Sequence, residues 1–227
     1  MGDVLVLPAD APRRVELERR GWRVVARSFG AQLDGDAVDR TRLRALVDRA
    51  GLPVRALDVA DVDAVLALDA ATIGHYPGSV ATRHEPFDRE RATPSATRRG
   101  FGAWSGDDLV AMTFVDVLVG DDGSDAAADS AAGSAADSAT GSAAAAGSAA
   151  AASAVLAETD VTVVTAGHRG RGIGTALKAA SVLALLDAGV TRFRTGGSAD
   201  NPAIIAANTA LGYVRDEEWV TLEPGAP

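Results

Sequence analysis

Apolar residues recur every three to four positions in some stretches of this chain and crowd together in others, and that division predicts most of its elements. Val38, Leu43, Leu46 and Val47 fall near one face of a helix over 37–50, which Gly51 and Pro53 stop. Val62, Val65, Leu66 and Leu68 lie inside a second helix, with Asp61 as its cap. Ile173, Leu177, Ala180, Ala184 and Leu185 give a buried face to a third, over 173–188, ended by Gly189. Pro202 opens a short fourth that reaches Leu211. Runs rich in β-branched residues read as strands at 52–57, 156–165, 191–195 and 219–222, and 101–104 with 109–119 reads as a hairpin around Ser105, Gly106, Asp107 and Asp108. Short apolar runs at 4–7 and 22–26 flank a charged stretch from Arg13 to Arg20.

Between the hairpin and the strand at 156 the pattern vanishes. Residues 120–154 are almost wholly Ala, Ser, Gly and Asp, with no aromatic, Leu, Ile or Val. Such a segment buries too little apolar surface to offset its ordering entropy and is expected to be a disordered surface insertion. The remainder predicts an α/β domain over 51–227, preceded by an N-terminal extension, 1–50, of two strands and a helix. The 47% hydrophobic content suffices for a sizeable core.

Charge and composition narrow the function classes. The formal net charge of the 227 residues is −9, and Asp121, Asp122, Asp125, Asp129 and Asp137 of the insertion supply five of those charges. The acidity of the rest therefore says little about partners, but a basic face for nucleic acid is not expected. The absence of cysteine excludes disulfides, thiolate metal sites and cysteine nucleophiles, and no other metal ligand set stands out. The first residues lack a charged leader, and no segment is long and apolar enough to span a bilayer, so the expectation is a cytoplasmic protein without a membrane partner. Lys178 is the only lysine.

The densest chemistry lies at 161–176. A β-branched run ends in a short loop, glycines alternate at Gly170, Gly172 and Gly174, and an amphipathic helix begins. Successive amides at such a helix start form an anion site, and Arg169 and Arg171 add positive charge. A P-loop needs a lysine before Thr175, which is missing. The dinucleotide fingerprint needs G-x-G-x-x-G, whereas this loop runs G-x-G-x-G, and Thr195, Gly196 and Gly197 stand where a ribose-binding acid belongs. The alternative to any phosphate site is a tight strand–helix turn.

Arg169-Gly170-Arg171-Gly172-Ile173-Gly174 resembles the R/Q-x-x-G-x-G/A signature of the GNAT superfamily of N-acetyltransferases. Residues 201–213, from Asn201-Pro202 through Asn208 to Leu211-Gly212-Tyr213, resemble that superfamily's second block, which ends in Leu-Gly-Phe/Tyr. The likeness covers roughly 155–222 and extends over 52–119. It implies an α/β (α+β) fold with a mixed, mostly antiparallel central sheet flanked by helices, and acetyl-CoA as co-substrate. By the same resemblance, the pyrophosphate would sit beside Arg169 on the amides of Gly170, Arg171, Gly172, Ile173, Gly174 and Thr175. The pantetheine arm would pair with the strand edge at Val163, Val164 and Thr165. A bulge in that strand and a splay from its neighbour would free an amide, that of Val164, for the thioester oxygen. Asn201 and Asn208 would line the far wall.

The reaction so implied is acetyl transfer to the amine of a small-molecule acceptor. A non-catalytic acyl-CoA-binding module and a protein N-acetyltransferase are the alternatives. Glu158, eleven positions before Arg169, stands where some members carry a glutamate base, and Asp160 is a second base candidate. The bland reading of both is a pair of solvated acids at a strand end. Many relatives place a tyrosine acid four positions before the second block's glycine. Here that position is Asn208, which has no titrating proton, as in a subgroup that includes actinobacterial thiol-metabolism acetyltransferases. Acceptor recognition is expected from 72–100, where His75, Tyr76 and His84 are either site residues or surface loop, and Arg83 suits a carboxylate or phosphate. His168 reads as a phosphate-side or surface residue, and Tyr213 as a packing residue. Gly21-Trp22 with its following run weakly parallels Gly212-Tyr213; a resemblance to the tandem acetyltransferases would make 1–35 a remnant of a first copy, and the alternative is coincidence. Such strands are expected to pair with a sheet edge otherwise exposed. The acceptor's identity and the oligomeric state are not encoded in any motif.

Overall fold

A computed structural model describes residues 4–75, 82, 84–119 and 155–225. Tyr76, Arg83 and the insertion 120–154, with its expected disorder, lie outside the described residues. The elements run β1 (Leu5–Pro8), α1 (Pro12–Arg19), β2 (Trp22–Asp34), α2 (Arg40–Asp48), β3 (Val54–Ala56), α3 (Val62–Thr72), α4 (Arg89–Ala92), β4 (Arg98–Ser105), β5 (Asp108–Val119), β6 (Val155–Val164), α5 (Ile173–Asp187), β7 (Arg192–Ser198), α6 (Pro202–Leu211) and β8 (Val214–Pro224). The strands form a single sheet in the order β1-β8-β2-β7-β6-β5-β4-β3. Every neighbouring pair is antiparallel except β6 with β7, so the fold is the mixed, mostly antiparallel sheet flanked by helices that the sequence implies.

Local signals account for most element ends. Asp39 caps α2 by accepting from the Arg42 amide, and Gly51 follows at φ +64°. Gly106, also at φ +64°, turns the β4–β5 hairpin. Asp61 does not cap α3 with its side chain. Asp58 caps the short turn before α3, while Asp61 accepts from the Asp58 amide and takes both guanidinium arms of Arg55 at 2.6 and 2.7 Å.

The N-terminal strands enter the sheet differently from the expectation. β1 does cover an edge, that of β8. β2 instead runs inside the sheet, pairing with β8 from Trp22 to Gln32 and with β7 from Ser28 to Asp34. Its pairing with the whole of β7 lets β7 leave β6 without orphaning both of its own sides.

Apolar clusters cover both faces of the sheet, and two of them are extensive. One joins α3 and the segment around Phe87 to Met112, Phe114, Val161 and Val163. The other joins α2 and α5 to Phe29, Leu33, Val115, Ala157 and Phe193. On α5 the buried stripe is rotated from the predicted one: Ala184 is exposed, whereas Lys178 and Ser181 are buried beside Leu177, Val182 and Leu185.

Candidate active site

β6 and β7 pair over three residues only, ending at Glu158 opposite Arg194, and then part. Asp160 is the extra residue of a bulge in β6, because Val115 faces Thr159 while Phe114 faces Val161. Beyond the bulge the β7 side of β6 is an open edge. The Thr165 amide donates to the Val110 carbonyl of β5. Amides alternate in direction along a strand, so those of Val164 and Thr162 point into the opening while those of Val163 and Thr165 do not. Of the three predicted edge residues, Val164 alone offers its amide, and Thr162 is a second donor that sequence reasoning missed.

The open end of this cleft meets the glycine loop. Gly170 and Gly172 sit at φ +76° and +77°, in the left-handed region that glycine enters without strain, and Gly172 caps α5. The first helical bond runs from the Ala176 amide to the Gly172 carbonyl. Among the described residues the amides of Gly170, Arg171, Gly172, Ile173, Gly174 and Thr175 donate to no backbone or side-chain acceptor, as an anion cradle requires. A Cβ on Gly174 would lie 3.5 Å from the Val164 side chain, so the helix start is seated against the edge strand. Arg169 ties the loop back by donating its Nε to the Val164 carbonyl at 3.0 Å. The His168 ring nitrogen Nδ1 lies 3.0 Å from the Thr165 hydroxyl.

Glu158, at the root of the cleft, shares a sheet face with its register partners Asp116 and Arg194. It is half-buried and makes no hydrogen bond or ion pair among the described residues. Burial raises its carboxyl above the ordinary carboxylate range; Arg194 opposes this, and Asp116, Glu217 and Asp160 add to it. Asp160 is placed otherwise. It accepts from Arg98 at 2.6 Å and from Arg91 at 3.2 Å, and Arg98 also forks onto Asp116.

No family model matches the chain, and no curated protein matches it in sequence. Solved structures do match in shape. A GCN5-related N-acetyltransferase from Kribbella flavida aligns over 98% of this chain and 68% of its own, at 18% identity and TM-score 0.53. One from Sphaerobacter thermophilus aligns over 98% and 60%, at 15% identity and TM-score 0.56. A GCN5-related N-acetyltransferase-like protein from Streptococcus suis aligns over 96% and 70%, at 18% identity and TM-score 0.53. The chain has the GNAT fold.

On that fold the remaining predicted residues take definite places. Asn201 caps α6, accepting from the Ile204 amide. Asn208 is buried, and among the described residues neither polar atom of its side chain has a hydrogen-bond partner. Tyr213 packs in the core, as predicted. His84 is no surface residue: its Nε2 lies 2.6 Å from the Asp69 carboxylate, both side chains are buried, and Asp69 also accepts from the Phe87 amide. His75 is exposed. Among the described residues no helix is long and apolar enough to cross a membrane.

Proposed function

We propose that this protein transfers an acetyl group from acetyl-CoA to the amine of a small-molecule acceptor. The observation that carries the reading is the continuity of three features: the six free amides at 170–175, the open edge of β6, and the half-buried Glu158 at its root. Acetyl-CoA supplies a thioester carbonyl open to attack and a thiol leaving group. The amides from Gly170 to Thr175 hold the pyrophosphate, and those of Val164 and Thr162 face the arm and the thioester oxygen. Glu158 takes the proton of the attacking amine, a task suited to a carboxyl raised above its ordinary value by burial. Asp160, committed to two arginines, serves as a support for the acceptor face.

Calorimetric titration with acetyl-CoA tests the donor half. Wild type is expected to bind in the micromolar range, about −8 kcal/mol. Gly172→Asn and Gly172→Asp both place a tolerated side chain in the left-handed conformation, but only Asp adds a charge that repels a pyrophosphate. Binding is expected to weaken in Gly172→Asn and to vanish in Gly172→Asp. No binding by folded wild type overturns the reading. A panel of small amines with labelled acetyl-CoA, run beside a protein mixture, then separates small-molecule transfer from protein acetylation.

A further inference from the structure

The single lysine of the chain is fully buried at the root of the cleft, on the face of the sheet opposite Glu158. Its Nζ donates to Thr195 Oγ1 at 2.9 Å and to Thr159 Oγ1 at 3.3 Å. Thr159 and Thr195 are the residues that directly follow the last paired positions of β6 and β7, so the ammonium bridges the two strands where they part. The groups facing it are these two hydroxyls and the Tyr213 ring, whose centroid lies 5.5 Å from Nζ. Burial raises the Tyr213 hydroxyl above its ordinary value, so that group stays neutral. No carboxylate pairs with Lys178 among the described residues. Burial without a counterion pushes the amine down to about 7, and a negative charge arriving at the root would restore its proton.

A packed core offers an apolar side chain at such a position at no desolvation cost, so a lone buried cation calls for a use. The cleft supplies a ruler. From Val164, beside the loop, to Thr159 at the root is five residues, roughly 17 Å of strand. An extended pantetheine arm anchored by its phosphate at the loop spans a comparable length and ends its sulfur near the root. This step rests on the acetyl-CoA reading above.

We propose that Lys178 is a positioning cation for the sulfur of the acyl donor, held between Thr159 and Thr195 so that its ammonium faces the negative charge that develops as the thioester is cleaved. In the transfer, a C–N bond forms, the C–S bond breaks and its electron pair stays on sulfur. Glu158 takes the amine's proton and returns it to water, and the thiolate paired with Lys178 takes a proton from water on release. Lys178 thus stabilises the leaving sulfur as an anion, and no proton from Asn208 is needed.

The test uses the full chain with reduced CoA and with desulfo-CoA, and needs no acceptor. The thiol of bound CoA is titrated by its thiolate absorbance, and both ligands are titrated calorimetrically. In wild type the bound thiol is expected to ionise at a pH about one to three units below that of free CoA. At alkaline pH wild type is expected to prefer CoA to desulfo-CoA by about tenfold or more. Lys178→Met is expected to abolish both effects while binding desulfo-CoA as wild type does. Thr195→Val, nearly isosteric, is expected to weaken both effects, and serves if Lys178→Met does not fold. Bound CoA that titrates alike in wild type and a folded variant, or an equal loss of both ligands, overturns the proposal and leaves the donor site standing. Failure of wild type to bind either ligand overturns the donor site and the proposal with it.

Discussion

Glu158 and Asp160 stand two residues apart on one strand, and their surroundings are opposite. Asp160 accepts from Arg98 and Arg91, which come from β4 and α4. Glu158 has no partner among the described residues, and burial holds its carboxyl toward the protonated form. The bulge at Asp160 separates the two: it carries Asp160 toward the arginines and leaves Glu158 at the last paired position before the cleft opens. Taking a proton at Asp160 would forfeit its two ion pairs, whereas Glu158 has none to lose. On the proposed reading, two carboxylic acids on one strand divide into a support and a base by what neighbouring elements bring to them.

The largest expected effect comes from stripping the supported acid of its support. Arg98→Met keeps an apolar stem near the rings of Phe87 and Phe114, over which the guanidinium lies, but leaves Asp116 and Asp160 without their main partner. A stability loss of about 3 kcal/mol is expected in urea denaturation. A loss under about 1 kcal/mol means that the network is screened like a surface pair and Asp160 is not held by it.

Glu158→Gln is the complementary change. A fall of about a hundredfold in kcat/KM is expected, with Tm moved by no more than about 2 °C. In wild type, activity is expected to fall as pH drops through a value above the ordinary carboxylate range, since the ionised form acts as base. The stability sign is opposite. A carboxyl whose folded value is raised contributes stability at low pH and loses it as pH rises through that value, so Glu158→Gln is at least as stable as wild type at pH 8. A pH profile of kcat/KM unchanged by Glu158→Gln removes Glu158 as the base.

This division was only partly legible in the sequence. The glycine loop and the start of α5 could be read because they are local: φ-positive glycines, a β-branched run and an apolar stripe lie within a few residues of one another. The neighbours that separate Glu158 from Asp160 are not local, since Arg98 and Arg91 lie 62 and 69 residues from Asp160. Lys178 escaped for a different reason. A helical period through Ala180 and Ala184 leaves it off the buried stripe, whereas α5 packs against the sheet and α2 so that Lys178 and Val182 are buried. Its signal was present as the one lysine of the chain, four residues after Gly174 in an otherwise apolar run. Likewise the echo at Gly21-Trp22 pointed to a strand but not to its slot between β7 and β8, because strand order is set by long-range pairing that no local pattern records.

The smallest expected effect is also the sharpest test of the comparison. Asp160→Asn keeps an acceptor oxygen at the bulge and removes only the charge, and Arg98 retains both of its bonds to Asp116. The pair is partly open to solvent, so the stability change is expected to be about 1 kcal/mol. Arg91 and Arg98 then each lose one charge-assisted bond without losing their place, because Arg91 also donates to the Glu85 carbonyl and Arg98 to the Arg91 carbonyl. The acceptor face should therefore keep its shape, with kcat/KM within about threefold of wild type, roughly 0.6 kcal/mol. An Asp160→Asn variant that loses as much activity as Glu158→Gln while staying folded reverses the two roles. The proton would then pass to Asp160 at the expense of its arginines, and Glu158 would be the acid that only shapes the field.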